Sequence, residues 1–263
     1  MNKKLTVLAA ACHPDDSEFM IAGTLLLLKE RGADIHMWNL ANGCLGSNTM
    51  SAEMTAKART EEAKESAKYL GAIYHPPLFD DLAVFYDKES LARVSSVIRD
   101  IKPDIIFVPS LHDYMEDHQN TARLVVSGTF TRGMNSFLVE PQIDPYYDDV
   151  VIYHALPYGL FDALRNKIIP EMIVDITDVI DEKTEMLLCH KSQSDWLSET
   201  QGINAYTQTM QEMSASVAAN YAEGKFVYGE GFIRHHHLGF SKSEKDNPIA
   251  ELLVDKIYLK EKN

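Results

Sequence analysis

Cysteine is scarce in this sequence. Three residues (Cys12, Cys44 and Cys189) are scattered over 263, with no CxxC pair. That excludes a disulfide framework and fits a reducing compartment. Long apolar runs are missing too, since no stretch approaches the ~20 residues of a membrane-spanning helix. Basic residues are in deficit, 25 against 39 acidic, for a formal charge of −14. A protein that neutralises phosphate backbones needs a basic stripe, so nucleic acid is not an expected partner. The deficit leaves the substrate open, because a basic pocket can sit inside an acidic protein. Lys3 and Lys4 before an apolar run and Cys12 mimic a short leader with a lipid-attachment cysteine. That run is only about seven residues, at the lower limit of a signal core. It reads better as a buried strand, and a cytoplasmic location is expected.

Hydrophobic content of 45% is ample for a core. Apolar, β-type runs at 5–11, 34–41, 72–75, 104–109, 150–154 and 172–176 read as strands. Helical patterns fill most of the gaps, at 18–29, 51–70, 88–102, 121–132 and 178–190, and 192–223 is helix-compatible. Strands alternating with helices predict an α/β fold, a doubly wound, mostly parallel sheet with helices on both faces. Right-handed crossovers then bring the strand ends to one rim. From about residue 135 the rhythm loosens into an extension with extra strands and helices. No repeat, low-complexity tract or linker interrupts the chain. A single domain over 1–263 is expected, with a core of about 1–135 and a C-terminal part of about 136–263.

Two polar clusters end strands. The first is His13-Pro14-Asp15-Asp16, where Pro14 stops the ladder and holds His13 extended. The second is His112, Asp113, Asp117 and His118, after the strand at 104–109. In open α/β sheets, ligands bind at such strand ends. Two imidazoles and a carboxylate make an N2O set suited to zinc or another divalent transition metal. Such a metal keeps a position open for water, and a further carboxylate can take the water's proton. His13 and Asp16, three apart at a helix start, can point at one ion, while Asp15 points elsewhere and can sit beside the water. Paired aspartates after a first strand also suit phosphoryl chemistry with magnesium, and a strand-end histidine can simply cap a helix. Two histidines are poor magnesium ligands, which favours metal-assisted hydrolysis.

Residues 11–16 (Ala-Cys-His-Pro-Asp-Asp) resemble the [A/C]HPDD motif of the LmbE/PIG-L family of zinc-dependent N-deacetylases. The likeness continues in order along the chain. Asn42-Gly43-Cys44-Leu45-Gly46 resembles the loop after the second strand, and residues 59–71 an R-x-x-E…A…LG helix. Asp117-His118 resembles the end of an HPDH-type motif. Residues 174–177, Lys183 and 190–193 resemble VDI[ST]…K…H-x-SQ, and Glu230-Gly231-Phe232 an E-x-F segment. The resemblance spans roughly residues 5–240. It implies a Rossmann-like fold and hydrolysis of the acetamido group of an N-acetylglucosamine-type sugar or conjugate. It also implies one zinc per chain held by His13, Asp16 and His118, with Asp15 as general base and Asp117 orienting a neighbouring histidine. Arg59 resembles a substrate-contacting arginine, with a surface ion pair to Glu62 as the plain alternative. Asn42 is a further substrate-contact candidate, and assembly into a homo-oligomer is expected.

One position departs from the pattern. Met115 stands where many relatives carry the first histidine of HPDH, and a thioether neither donates nor transfers a proton. His112, three residues upstream, is one possible substitute on the substrate side. The run Arg234-His235-His236-His237 is another, because alternation in an extended segment puts His235 and His237 on one face. The plain alternatives are a solvated run or supporting packing. A different class of function, a non-catalytic metal-dependent sugar-binding protein on the same scaffold, follows if no donor replaces that histidine.

Overall fold

A computed structural model describes residues 4–201 and 206–260, the side chains of 198–201 excepted. The first strand, β1 (Thr6–Ala11), is apolar on both faces: Val7 and Ala9 enter one half of the core, Leu8 and Ala10 the other. A strand buried on both sides needs no polar alternation, which explains the continuous apolar run. Two short helices follow, α1 (Asp16–Met20) and α2 (Ala22–Glu30), where a single helix was expected over 18–29. The break has a tertiary cause. Glu230, from the far end of the chain, accepts the backbone N–H groups of Gly23 and Thr24 at 2.9 and 2.7 Å, capping α2 from outside.

Then come β2 (Asp34–Asn39), α3 (Ala52–Leu70) and β3 (Ile73–His75). Ser51 caps α3 by accepting the Met54 N–H, and Gly71 closes it at φ 67°. Asp87 likewise caps α4 (Lys88–Ile101), whose Val94 and Ile98 pack on the sheet. After β4 (Ile105–Val108), α5 (Glu116–Phe130) starts five residues before the expected 121. That places Asp117 and His118 on its first turn instead of in a loop. The chain continues through β5 (Val151–Ala155), β6 (Met172–Asp175), α6 (Ile180–Leu188), α7 (Lys191–Gln201) and α8 (Tyr206–Tyr221). It finishes with β7 (Gly229–Arg234), α9 (Pro248–Leu252) and β8 (Ile257–Leu259).

The eight strands form one sheet in the order β3-β2-β1-β4-β5-β7-β6-β8. Every pairing from β3 to β5 is parallel, whereas β7 runs antiparallel between β5 and β6, and β8 antiparallel beside β6. The architecture is thus α/β with a mostly parallel sheet, as the strand–helix alternation predicts. The order of the strands reverses between the parallel neighbours β1 and β4, leaving a crevice outside their carboxyl ends. No helix among the described residues is long and apolar enough to cross a membrane.

Candidate active site

Both polar clusters flank that crevice, β1 delivering residues 13–16 and β4 leading into α5. His13 leaves β1 with its carbonyl held by Asn39 Nδ2 at 2.7 Å, from the end of the neighbouring β2. The Asp16 carboxylate accepts the His13 backbone N–H at 2.7 Å, which folds the two side chains onto one spot. Asp16 Oδ2 then lies 3.7 Å from His13 Nδ1 and 3.4 Å from His118 Nε2. Ligand-type atoms of His13, Asp16 and His118 all fall within 4.8 Å of one another.

The far nitrogen of each imidazole meets a carboxylate. His13 Nε2 is 3.3 Å from Asp117 Oδ2, and His118 Nδ1 is 3.1 Å from Asp113 Oδ1. Such partners fix the tautomer, so that the inward nitrogen keeps its lone pair free for a metal. Burial alone would depress both histidines. Cys12, Asp117 and Asp16 around His13, and Asp16 and Asp113 around His118, outweigh it and raise both above the usual range. The site floor therefore carries more negative charge than its own cations balance. Donor set, tautomers and charge all fit a divalent cation.

The adjacent carboxylates are divided by environment. Burial favours the neutral form of Asp16, but His118 and His13 overcome it and hold the carboxyl far below its usual range. Asp15 goes the other way: burial raises it, and Arg59 and the Tyr206 hydroxyl only partly offset that. A pair pushed apart in this way assigns one group to constant charge and the other to proton transfer. Asp15 also sits at φ 105°, a left-handed conformation that a side chain tolerates poorly. This turn aims it away from Asp16, toward Arg59 Nη2 at 3.4 Å and Tyr206.

Arg59 corrects a reading of the sequence. It is no surface partner of Glu62, because its guanidinium is buried, donating to the Pro14 carbonyl at 2.5 Å under the loop that follows β2. A Cβ added at Gly43 or Gly46 would come within 2.7 Å of it, so the glycines let that backbone lie directly on the arginine. Glu62 instead accepts the Ser192 N–H and hydroxyl at 2.9 and 2.7 Å, tying α3 to the start of α7.

Other expected contacts fall elsewhere. Asn42 bonds Asp80 and the Cys44 N–H, and so shapes the loop without lining the cavity. His112 is exposed and also outside the cavity wall. His235 and His237 do not reach the site. They follow β7, which runs opposite to β5 and so carries them toward the other end of the sheet. There His235 Nδ1 lies 2.9 Å from His154 Nε2, and His237 pairs with Glu244. Met115 does line the cavity. Three contributors escaped the sequence reading: Asp113, Tyr206 and Gln193. Asp113 stood in the second cluster and Gln193 in the H-x-SQ stretch, each without an assigned role, and only Tyr206 lacked any local signal.

The cavity over this floor measures about 370 Å3. Gln193, nearly buried in its wall, has an Oε1 without a hydrogen-bond partner among the described residues, and Arg59 Nε likewise has none among them. Buried polar atoms left without partners point to a polar ligand, since burying them empty is costly.

Comparison with known proteins adds the following. Residues 8–128 match the PIG-L family, described as GlcNAc-PI de-N-acetylase. The chain is 28% identical to diacetylchitobiose deacetylase of Thermococcus kodakarensis over 196 residues, 71% of this chain and 69% of that one. It is 27% identical to 4-oxalmesaconate hydratase of Pseudomonas putida over 234 residues, 83% of this chain and 87% of that one. The fold superimposes on N,N'-diacetylchitobiose deacetylase from Pyrococcus horikoshii with a TM-score of 0.74 and 23% identity, covering 91% and 87% of the two chains. The matched segment contains the strand ends that carry His13, Asp15, Asp16, Asp113, Asp117 and His118, and it is in this stretch that the chain is similar to the PIG-L (LmbE) family.

Proposed function

We propose that this protein is a metal-dependent hydrolase that removes the acetyl group from an N-acetylated amino sugar or its conjugate. Zinc is the metal we assign, one per chain, held by His13, Asp16 and His118, and the whole chain acts as one domain. The family, the deacetylase relatives and the division of labour between Asp15 and Asp16 support this reading. That division carries most weight, because an amide hydrolase needs one carboxylate permanently charged and its neighbour able to accept a proton.

When bound, the cation would polarise the acyl carbonyl and acidify water. The chain's own groups do the rest. Asp117 and Asp113 hold the two imidazoles in register. The Asp15 carboxylate takes the proton of the attacking water as oxygen bonds to the acyl carbon. Arg59 and Tyr206 hold Asp15 on either side, fixing the direction of that transfer. The C–N bond then breaks, and the proton passes from Asp15 to the departing amine nitrogen, giving acetate and a free amine. Gln193 offers its unpaired Oε1 to a hydroxyl or amide N–H of the sugar.

The hydratase relative gives a second reading, addition of water to a carbon–carbon double bond, since it matches more of the chain than the deacetylase does. Arg59 is the lone lysine or arginine among the described residues lining the cavity, poor provision for the carboxylate anion that relative's name specifies. Asp15→Asn separates the possibilities. Acetate release from N-acetylglucosaminides should fall by about 10² to 10⁴, with metal content per chain unchanged. Hydration of an unsaturated carboxylate, with no acetate released by the unaltered protein, would establish the second reading. Metal bound with neither reaction would leave a binding protein.

A further inference from the structure

Four aromatic rings form a continuous arc around the cavity. Tyr114 stands edge-on to His118 with centroids 5.7 Å apart, and Tyr158 follows at 6.3 Å. Phe19 is 5.2 Å from Tyr158, and Tyr206, which reaches Asp15, is 5.6 Å from Phe19. The arc therefore runs from a metal-type histidine to the proton-transfer carboxylate. Phe19 and Tyr206 are buried and could serve the core alone. Tyr114 and Tyr158 also line the cavity and remain 47% and 36% exposed, so neither ring is consumed by the core.

Two leucines extend this apolar wall to the mouth. Leu45 and Leu82 line the cavity and are 51% and 66% exposed. Leu82 is held there against a backbone cost. Its φ is 60°, the left-handed region that branched side chains avoid, and its N–H is pinned to Asp117 Oδ2 at 2.7 Å. Leu82 belongs to none of the apolar clusters formed by the described residues. That leaves its side chain available to an apolar group entering the cavity.

Charge selects in the same direction. Five carboxylates line the cavity (Asp15, Asp16, Asp81, Asp113, Asp117), against the guanidinium of Arg59. Even a bound divalent cation would leave the lining negative. A volume of about 370 Å3, roughly twelve waters at ~30 Å3 each, holds more than an acetamide group.

Resting on the deacetylase reading, we infer that the substrate carries an uncharged, aromatic aglycone beside its N-acetyl sugar, packed against the Tyr114–Tyr158 arc and Leu82, and that anionic aglycones are rejected. Offset stacking on tyrosine faces favours a flat ring, and the carboxylate-rich lining repels a second anion.

The test uses three N-acetylglucosaminides that share the reacting acetamide: p-nitrophenyl, methyl and malyl. Acetate release should give kcat/KM at least tenfold higher for p-nitrophenyl than for methyl, and at least tenfold lower for malyl. Tyr158→Ala should cut the p-nitrophenyl-to-methyl ratio several-fold, mainly through KM, with thermal melting checking that the variant folds. Equal rates for p-nitrophenyl and methyl, or malyl as the best substrate, would overturn the inference and leave the deacetylase reading intact. If no glycoside releases acetate, the deacetylase reading fails, and calorimetric affinities of the same three compounds decide the aglycone question. Tighter p-nitrophenyl binding then sustains the aromatic site, and malyl binding as tightly overturns it.

Discussion

Glu230 is the residue through which the C-terminal part of the chain organises the start of the site. Its two oxygens serve four donors: Gly23 N–H at 2.9 Å and Lys183 Nζ at 2.7 Å on one, Thr24 N–H at 2.7 Å and the Thr24 hydroxyl at 2.6 Å on the other. Both charged side chains are almost fully buried, 1% and 2% exposed for Lys183 and Glu230. In Glu230→Gln the amide keeps one acceptor oxygen and turns an NH2 toward groups that are themselves donors. Two hydrogen bonds are lost at about 1 kcal/mol each, and the Lys183 ammonium is left buried without its counter-ion, at about 3–5 kcal/mol. These losses overlap, so the expected destabilisation is about 3–5 kcal/mol. At about 2–4 °C per kcal/mol for a chain near this size, Tm should fall by roughly 10 °C. Urea unfolding followed by circular dichroism measures it, with an unchanged m-value showing that the denatured state is not the cause. Replacing both partners together (Glu230→Leu with Lys183→Met) should cost less than Glu230→Leu alone, because no charge is then stranded. A loss below about 1 kcal/mol, or a double variant worse than the single one, would refute the reasoning.

Two further outcomes follow from the site and the sheet edge. Asp113→Ala removes the carboxylate that fixes His118 and should weaken metal affinity about 10- to 100-fold in competition with a chelator; unchanged affinity would mean that Asp113 does not orient the ligand. At the β2–β3 edge, His36 Nδ1 and His75 Nε2 are 2.8 Å apart, and burial, reinforced by His36, pushes His75 down to about 4. The unfolded chain then binds the proton more tightly than the folded one, so stability is complete above about pH 6.5 and falls as pH drops toward 4. His75 is only half-buried, and after discounting for solvent its share is about 2 kcal/mol. Chemical denaturation between pH 4 and 7 should show a shallower slope in His75→Gln, with His154, which burial also pushes to about 4, among the groups that supply the remainder.

How far the sequence could be read depended on the range of the interaction involved. Apolar strands ending in histidine and aspartate, and helices bounded by Ser51, Asp87 and Gly71, are set by neighbours a few residues apart. Their existence and order were accordingly visible, as was the meeting of the two strand-end clusters once a parallel sheet was assumed, while the choice of His118 beside His13 and Asp16 came from the family resemblance. The break between α1 and α2 was not visible, because its cause is a carboxylate 207 residues away. For Arg59 the local pattern offered a surface pair with Glu62 and the family resemblance a substrate contact, but nothing within a turn of it indicates that two glycines will cover it.

The histidines at 235 and 237 show the limit most clearly. Extended geometry and residue chemistry made both of them reasonable donors to replace the histidine absent at Met115. Strand direction removed them, because β7 enters the sheet antiparallel and its C-terminal end lies away from the crevice. By itself, then, the sequence determined the α/β alternation, the two strand-end clusters and the likeness to the PIG-L (LmbE) family, all encoded by local periodicity and contiguous motifs. The tertiary structure alone decided which distant groups complete the site. Tyr206 meets Asp15 across 191 residues, and the arc of rings draws on α1, the turn before α5, the loop after β5 and α8. Those meetings depend on topology and packing, which no window along the chain contains.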